Sequence, residues 1–263
     1  MNFEIPGLPD RTAKPRENGL TMMMDKGLSI RQVEDTIAAS HQYFDIAKLG
    51  FGTSVITNDL DTKLSLYKEA NIQPCFGGTL FELYYAKGLF DEYRKLIDKY
   101  EMPLAEVSDG SITMSHEDKC DCISKLAEQT IVLSEVGSKD ADKIIPPYKW
   151  INLIQKELAA GSWKVIGESR EGGNVGLFRS TGEVRSGLVE EILNTIPGEK
   201  IMWEAPLKAQ QVWFIKLLGT NVNLGNIAPN EVIPLETLRI GLRGDTFEMF
   251  LNHGEKSKAK HNS

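Results

Sequence analysis

IVLSEVGSKD, residues 131–140, decides how the chain is read. Ile131, Val132 and Leu133 form a short apolar run of the kind a parallel sheet buries on both faces. The run gives way to Glu135, Gly137, Lys139 and Asp140, so a carboxylate and an ammonium stand where a strand leaves the core. Other segments are built alike. Leu104 and Ala105 lead to Glu106, Ser108 and Asp109. Val165 and Ile166 lead to Glu168, Arg170 and Glu171, and residues 201–203 lead to Glu204. Ionised side chains at the C-terminal ends of parallel strands are where a barrel keeps its chemistry.

Outward from this stretch the pattern repeats. Strands are expected at 19–24, 43–49, 72–76, 103–107, within 131–140 from the apolar run 131–133, and at 163–167, 200–203 and 221–224. Helices are expected between them. Ser29 and Ser115 are N-caps, with Glu117 and Asp118 in the positive first turn after Ser115. A long helical region before Tyr100 is interrupted at Gly88, Trp150, Ile151, Ile154 and Leu158 make one apolar stripe, and residues 235–242 close the set. Eight strand–helix units over this length imply an α/β fold, a single (β/α)8 TIM barrel. An open doubly wound sheet fits less well, because Gly50-x-Gly52 lacks the third glycine of a dinucleotide fingerprint, Val55 occupying its place. The expected division is an irregular arm over 1–18, the barrel over 19–251 and a disordered tail over 252–263.

Composition narrows the function. The 263 residues carry a net charge of −7, which argues against nucleic acid or an anionic membrane as partner. No run approaches the roughly 20 apolar residues of a membrane span, and the first residues lack the apolar core of a signal peptide. Three cysteines suit a reducing, cytoplasmic setting, and Cys120-x-Cys122 reads as part of a helix rather than a zinc site. His41 and His116 fall in helices and His253 and His261 in the tail, so acid–base work falls to carboxylates and lysine. A homo-oligomer is compatible with the sequence.

Glu106, Glu135, Glu168 and Glu204 have two readings: ion pairs with Lys48, Lys139 or Arg170 that close the barrel mouth, or ligands of a divalent cation such as Mg²⁺, which Asp25 and Asp109 would join. Lys139 is a solvated loop lysine, a general acid with a lowered pKa, or a Schiff-base lysine. Phosphate is expected in the late loops of a barrel, here near Gly225, Asn226, Arg239 and Arg243, with backbone donors from Gly172, Gly173 and Asn174; the alternative pairs Arg243 with Asp245.

Several stretches carry a resemblance: KPRENGLTMMMDKGL (14–28), KLGFGTS (48–54), FGGTLFE (76–82), EVSDGS (106–111), LSEVGSKD (133–140), ESREGG (168–173), WEAPLKAQQ (203–211), VNLGNI (222–227) and LETLRIGLRGDTF (235–247). Together they resemble the phosphosulfolactate synthase family over nearly the whole chain. The resemblance implies a (β/α)8 barrel that adds sulfite to phosphoenolpyruvate with Mg²⁺, giving (2R)-phospho-3-sulfolactate, a precursor of coenzyme M in archaea and of sulfolactate in some bacteria. It also implies a proton-donating lysine after strand five. The family often has two adjacent lysines there; this chain has Ser138-Lys139, so the role passes to Lys139 alone. The chain also resembles plant heat-stress-associated proteins, which keeps an interaction protein on an idle barrel, or another enolate-forming lyase, as alternatives. In the combined expectation Lys139, Glu135 and Lys48 are catalytic. Glu106, Glu135, Glu168 and Glu204 hold the metal, and Arg170, Arg243, Asn226, Gly172 and Gly173 bind substrate.

Overall fold

The computed structural model describes residues 5–137, 145–169 and 172–251. In chain order the strands are β1 (Thr21–Asp25), β2 (Ile46–Leu49), β3 (Gln73–Phe76), β4 (Leu104–Val107), β5 (Ile131–Val136), β6 (Ser162–Gly167), β7 (Ile201–Glu204) and β8 (Leu224–Ile227). They pair in sequence order and β8 returns to β1, so the parallel sheet closes into a barrel. The helices are α1 (Ile30–Ser40), α2 (Leu60–Glu69), α3 (Gly78–Ala86), α4 (Phe90–Lys99), α5 (His116–Ala127), α6 (Pro147–Ala159), α7 (Ser186–Leu193), α8 (Lys208–Leu218), α9 (Val232–Arg239) and α10 (Gly244–Leu251). Among the described residues no helix is long and apolar enough to cross a membrane.

Side chains alternate along a strand, so each strand divides its residues between barrel interior and helix layer. Leu20, Met22, Ile46, Cys75, Leu104, Leu133, Ile166 and Met202 fill the interior. The other parity packs outward: Met23, Ala47, Val165 and Ile201 meet helices in one cluster, and Leu49, Phe76, Ala105 and Val132 in another. Gly225 on β8 also faces inward. A Cβ there would lie 2.8 Å from Met22 Cε and 3.4 Å from Met202 Sδ, so the methionines already occupy the space a larger residue would need.

Local signals place most helices where the sequence does. Ser29 accepts from Gln32 N and Ser115 from Asp118 N. Gly88, at φ +69°, ends α3 before α4 begins, a backbone that costs glycine little. Two expectations need correcting. The last strand is Leu224–Ile227, not 221–224: Asn223 spends its side chain below it, donating to the Glu199 and Ile201 carbonyls and accepting from Leu20 N. The last barrel helix runs from Val232 to Arg239, not from 235 to 242, and a further helix, α10, follows.

The arm closes the N-terminal end. Arg11 pairs with Glu236 at 2.8 Å and Arg16 with Asp45 at 2.8 Å. Arg239, fully buried, donates to the carbonyls of Thr220 and Val222 at 2.7 Å and of Leu20 at 3.2 Å.

Candidate active site

The site follows from strand parity. Ile46, Leu104, Leu133 and Met202 face the interior, so the residues two places on face it one layer nearer the C-terminal rim. Those residues are Lys48, Glu106, Glu135 and Glu204. The Lys48 ammonium lies 2.9 Å from Glu106 Oε2, 3.5 Å from Glu204 Oε1 and 3.9 Å from Glu135 Oε1. All four are buried, and they floor a cavity of about 400 Å³. Met24, Gly50, Phe51, Gly78, Asn174 and Asn226 are among its walls. A larger cavity, about 1530 Å³, lies under the arm at the opposite rim. Four of its charged groups, Arg11, Arg16, Asp45 and Glu236, are paired one to one, and Lys14 donates to the carbonyls of His41 and Asn71. The smaller cavity, with three carboxylates on one ammonium, is the candidate for chemistry.

Two backbone donors complete the carboxylates. Gly78 N–H, at the start of α3, donates to Glu106 Oε1 at 2.6 Å, and Ser169 N–H donates to Glu204 Oε2 at 2.8 Å. Gly78 has to be glycine, since a Cβ would run into Ser108. One ammonium shared by three carboxylates sets the electrostatics. Burial alone would favour neutral Lys48, but Glu106, Glu135 and Glu204 together hold its pKa well above the ordinary value. Burial raises Glu106 against the pull of Lys48. Burial likewise pushes Glu204 up to about 8, opposed by Lys48 and reinforced by Glu135.

Hard oxygen donors with an excess of negative charge fit Mg²⁺. Among the described residues no three acidic, histidine or cysteine side chains converge as a ready metal cage. Mg²⁺ needs none, since it commonly binds through one or two carboxylates and completes its shell with water and substrate oxygens. Glu106, Glu135 and Glu204 already meet at the Lys48 ammonium, and they are the residues that would hold such a cation.

The other expected residues divide. Gly172, Asn174 and Asn226 line the cavity, Asn226 at φ +59°. Gly173 turns aside, its carbonyl accepting from Gln210 Nε2 at 2.8 Å. Glu168 has left β6 and is not a wall of the cavity; its Oε2 would lie 3.0 Å from a Cβ on Gly137, beside Trp150. Asp25 does not join the carboxylates. Its parity is outward, and it binds Lys63 and Tyr67 at 2.9 Å. Asp109 pairs with Lys119 at 2.8 Å. Arg239 lies at the opposite rim, because α9 runs away from the cavity and carries it to the carbonyls below. Arg243, expected to bind substrate, comes after that helix and is not a wall of the cavity; its charge helps hold the Asp245 carboxyl low, behind the hydrogen bond from Lys208. Lys139 and Arg170 lie outside the described residues. The sequence reading missed the α3 start, the Ser169 donor and buried Glu82, to which Ser108 Oγ donates at 2.5 Å. The Gly-Gly pair at 77–78 is the one signal that could have found the first of these.

Comparison with known proteins identifies the family. The family model of (2R)-phospho-3-sulfolactate synthase (ComA) matches residues 9–245. The chain is 41% identical to phosphosulfolactate synthase of Bacillus subtilis (strain 168) over 250 residues, 94% of this chain and 99% of that protein. It is 44% identical to phosphosulfolactate synthase of Methanocaldococcus jannaschii over 237 residues, 88% of this chain and 94% of that protein. Among solved structures, 3-hexulose-6-phosphate synthase from Salmonella typhimurium is 13% identical with a TM-score of 0.54, covering 89% of this chain and 99% of that one; the likeness is one of fold. A family match across most of the chain, with relatives above 40% identity, shows that the chain belongs to the phosphosulfolactate synthase family, enzymes of the lyase type that form a carbon–sulfur bond.

Proposed function

We propose that this chain adds sulfite to phosphoenolpyruvate in a Mg²⁺-dependent reaction that yields (2R)-phospho-3-sulfolactate. The observation that carries the reading is Lys48 amid Glu106, Glu135 and Glu204 on the floor of a cavity at the C-terminal rim. The sulfur lone pair of sulfite forms a bond to the methylene carbon. The double-bond electrons move to the adjacent carbon and into its carboxylate, and a proton then adds to that carbon. Nothing leaves, so atoms and charge balance.

Two anions must meet while a third charge develops, so the site's task is electrostatic. Bound Mg²⁺, held by some of Glu106, Glu135 and Glu204, would supply a Lewis acid for the carboxylate oxygens. Lys48 supplies a fixed positive charge beside them. The Gly78 N–H and Ser169 N–H hold Glu106 and Glu204 in place, so the carboxylates need no reorganisation as charge builds. Gly172, Asn174 and Asn226 provide a polar wall for the substrate's anionic groups. Lys139 follows β5, the strand that carries Glu135, and in this reading delivers the proton from one face. The three cysteines are free thiols, in keeping with a cytoplasmic enzyme.

The test is sulfite-dependent loss of phosphoenolpyruvate, followed by phosphorus NMR with and without Mg²⁺. Expected is conversion to one phosphosulfolactate enantiomer; no sulfite dependence would sink the reading. Lys139→Ala is expected to fold and to lose product formation, and wild-type turnover in that variant would remove Lys139 from the reaction.

A further inference from the structure

Behind β5, on the helix side of the barrel wall, lies a buried charge that the reaction above does not use. Lys119 of α5 is 1% exposed. Its Nζ meets Asp109 Oδ1 at 2.8 Å, Glu157 Oε1 of α6 at 2.9 Å and the backbone carbonyl of Glu135 at 2.5 Å. Glu157 is entirely buried. For stability alone a buried ion pair is a poor choice, because desolvation offsets most of the attraction and a well-packed apolar pair does as well or better.

The place of the third contact gives the pair a use. The ladder between β4 and β5 last pairs Val107 with Ser134, the residue before Glu135. Val136 turns its carbonyl to the β6 side, where Glu168 N–H donates to it at 2.9 Å. Backbone groups alternate sides along a strand, so the Glu135 carbonyl faces the β4 side, where the ladder has ended. Lys119 supplies the missing donor. The same ammonium holds Asp109, three residues beyond Glu106 on the neighbouring strand. One cation thus fastens together the two strand ends whose side chains reach Lys48 from adjacent directions.

We propose that Lys119 is a positioning residue for the reaction: by bridging the Glu135 carbonyl and Asp109 it fixes the separation at which Glu106 and Glu135 hold Lys48. This rests on the reading of the C-terminal cavity as the reacting site. A misplacement of about 1 Å at such a site costs on the order of 10²-fold in rate, whereas the fold does not need the charge.

The experiment compares wild type with the double variant Lys119→Met/Glu157→Met, which removes both charges and keeps the space filled. Expected is a Tm near wild type, since relief of the buried charges offsets the lost donor at the Glu135 carbonyl, with a kcat lowered by roughly 10- to 100-fold and a little-changed KM for phosphoenolpyruvate. Lys119→Arg, which keeps a donor at the Glu135 carbonyl, is expected to recover most of kcat. A folded double variant with wild-type kcat, or an Arg variant no better than it, would overturn the inference. If the apolar pair does not fold, Lys119→Met/Glu157→Gln, which keeps a partner for Ser134, is judged by the same criteria. Wild type, assayed alongside, separates the two failures. A wild type without sulfite-dependent turnover overturns the proposed function and this inference with it. An active wild type with an equally active double variant overturns this inference alone.

Discussion

At the N-terminal rim Arg239 is as buried as Lys48 is at the C-terminal rim, yet the two charges are met in opposite ways. Arg239 is surrounded by the carbonyls of Thr220, Val222 and Leu20 and by Thr21 Oγ1, all neutral acceptors. Around it Arg11 matches Glu236 and Arg16 matches Asp45, one charge to one. Lys48 has three carboxylates to itself. At the first rim these groups are met within the chain, Arg239 by neutral acceptors and Arg11 and Arg16 by one carboxylate each, and that rim works as a frame. The second is left with excess negative charge that only protons or an incoming cation can offset, and it opens onto a cavity. Burial alone therefore does not mark the reacting end; a surplus of carboxylates opening onto a cavity does.

Replacing the unbalanced cation is expected to have the largest effect. Lys48→Met should lower kcat/KM by about 10²–10³-fold, the usual cost of one electrostatic contact to the transition state. It should also make the fold less tolerant of high pH, because three buried carboxylates then lack their shared ammonium. A variant that keeps wild-type kcat/KM would erase the distinction between the rims.

Glu106→Gln sharpens it. The amide oxygen can still accept from Gly78 N–H, so the α3 start stays in place while one negative charge is lost. Activity is expected to fall by roughly 10²-fold, with only a modest loss of Tm: burial already disfavours the charged form of Glu106, but the amide NH2 then faces the Lys48 ammonium in place of Oε2. A large drop in Tm would instead make Glu106 part of the frame.

Arg239→Leu tests the other rim. The Val222 carbonyl would lose the Arg239 donor, while those of Thr220 and Leu20 would keep only Arg11 and the Leu224 N–H, at a cost on the order of 2 kcal/mol. The kcat/KM of the folded fraction should stay at the wild-type value. A variant that loses turnover without losing stability would mean that the two rims communicate.

The same contrast explains what was legible. Interior parity was open to reading, because apolar residues at i and glutamates at i+2 share a face; Glu106, Glu135 and Glu204 follow from it directly. Glu168 obeys the parity but not the geometry, since β6 ends at Gly167 and the next side chain lies toward Gly137 and Trp150. The last strand was misplaced because Leu-Gly-Asn-Ile has little strand propensity. Its glycine is dictated by Met22 and Met202, side chains distant in sequence. Arg239 misled for the same kind of reason. The helix periodicity shows a face, but which rim the helix end reaches depends on where α9 begins, three residues earlier than expected. Lys119 left no sequence signal, because its partners lie on three other segments.

The smallest expected effect again concerns the N-terminal rim. Lys164, 3% exposed at the start of β6, donates to the Glu199 carbonyl at 2.7 Å and lies 4.6 Å from the Trp163 ring centre. No carboxylate is in direct contact with it among the ion pairs of the described residues, and burial pushes its pKa down to about 8. An unfolded lysine titrates near ~10.4. Between these values the unfolded chain binds the proton that the folded chain has released, so stability rises with pH across that window. Below about pH 8 both states are protonated and the cost of burying the charge is present in full. Denaturant titrations of wild type and Lys164→Met from neutral pH upward isolate the effect, because other groups cancel in the difference. Wild type should gain on the variant as pH climbs through the window, with turnover the same in both at neutral pH. A difference that stays flat would mean that Lys164 titrates like a solvated lysine and that this rim buries no such cost.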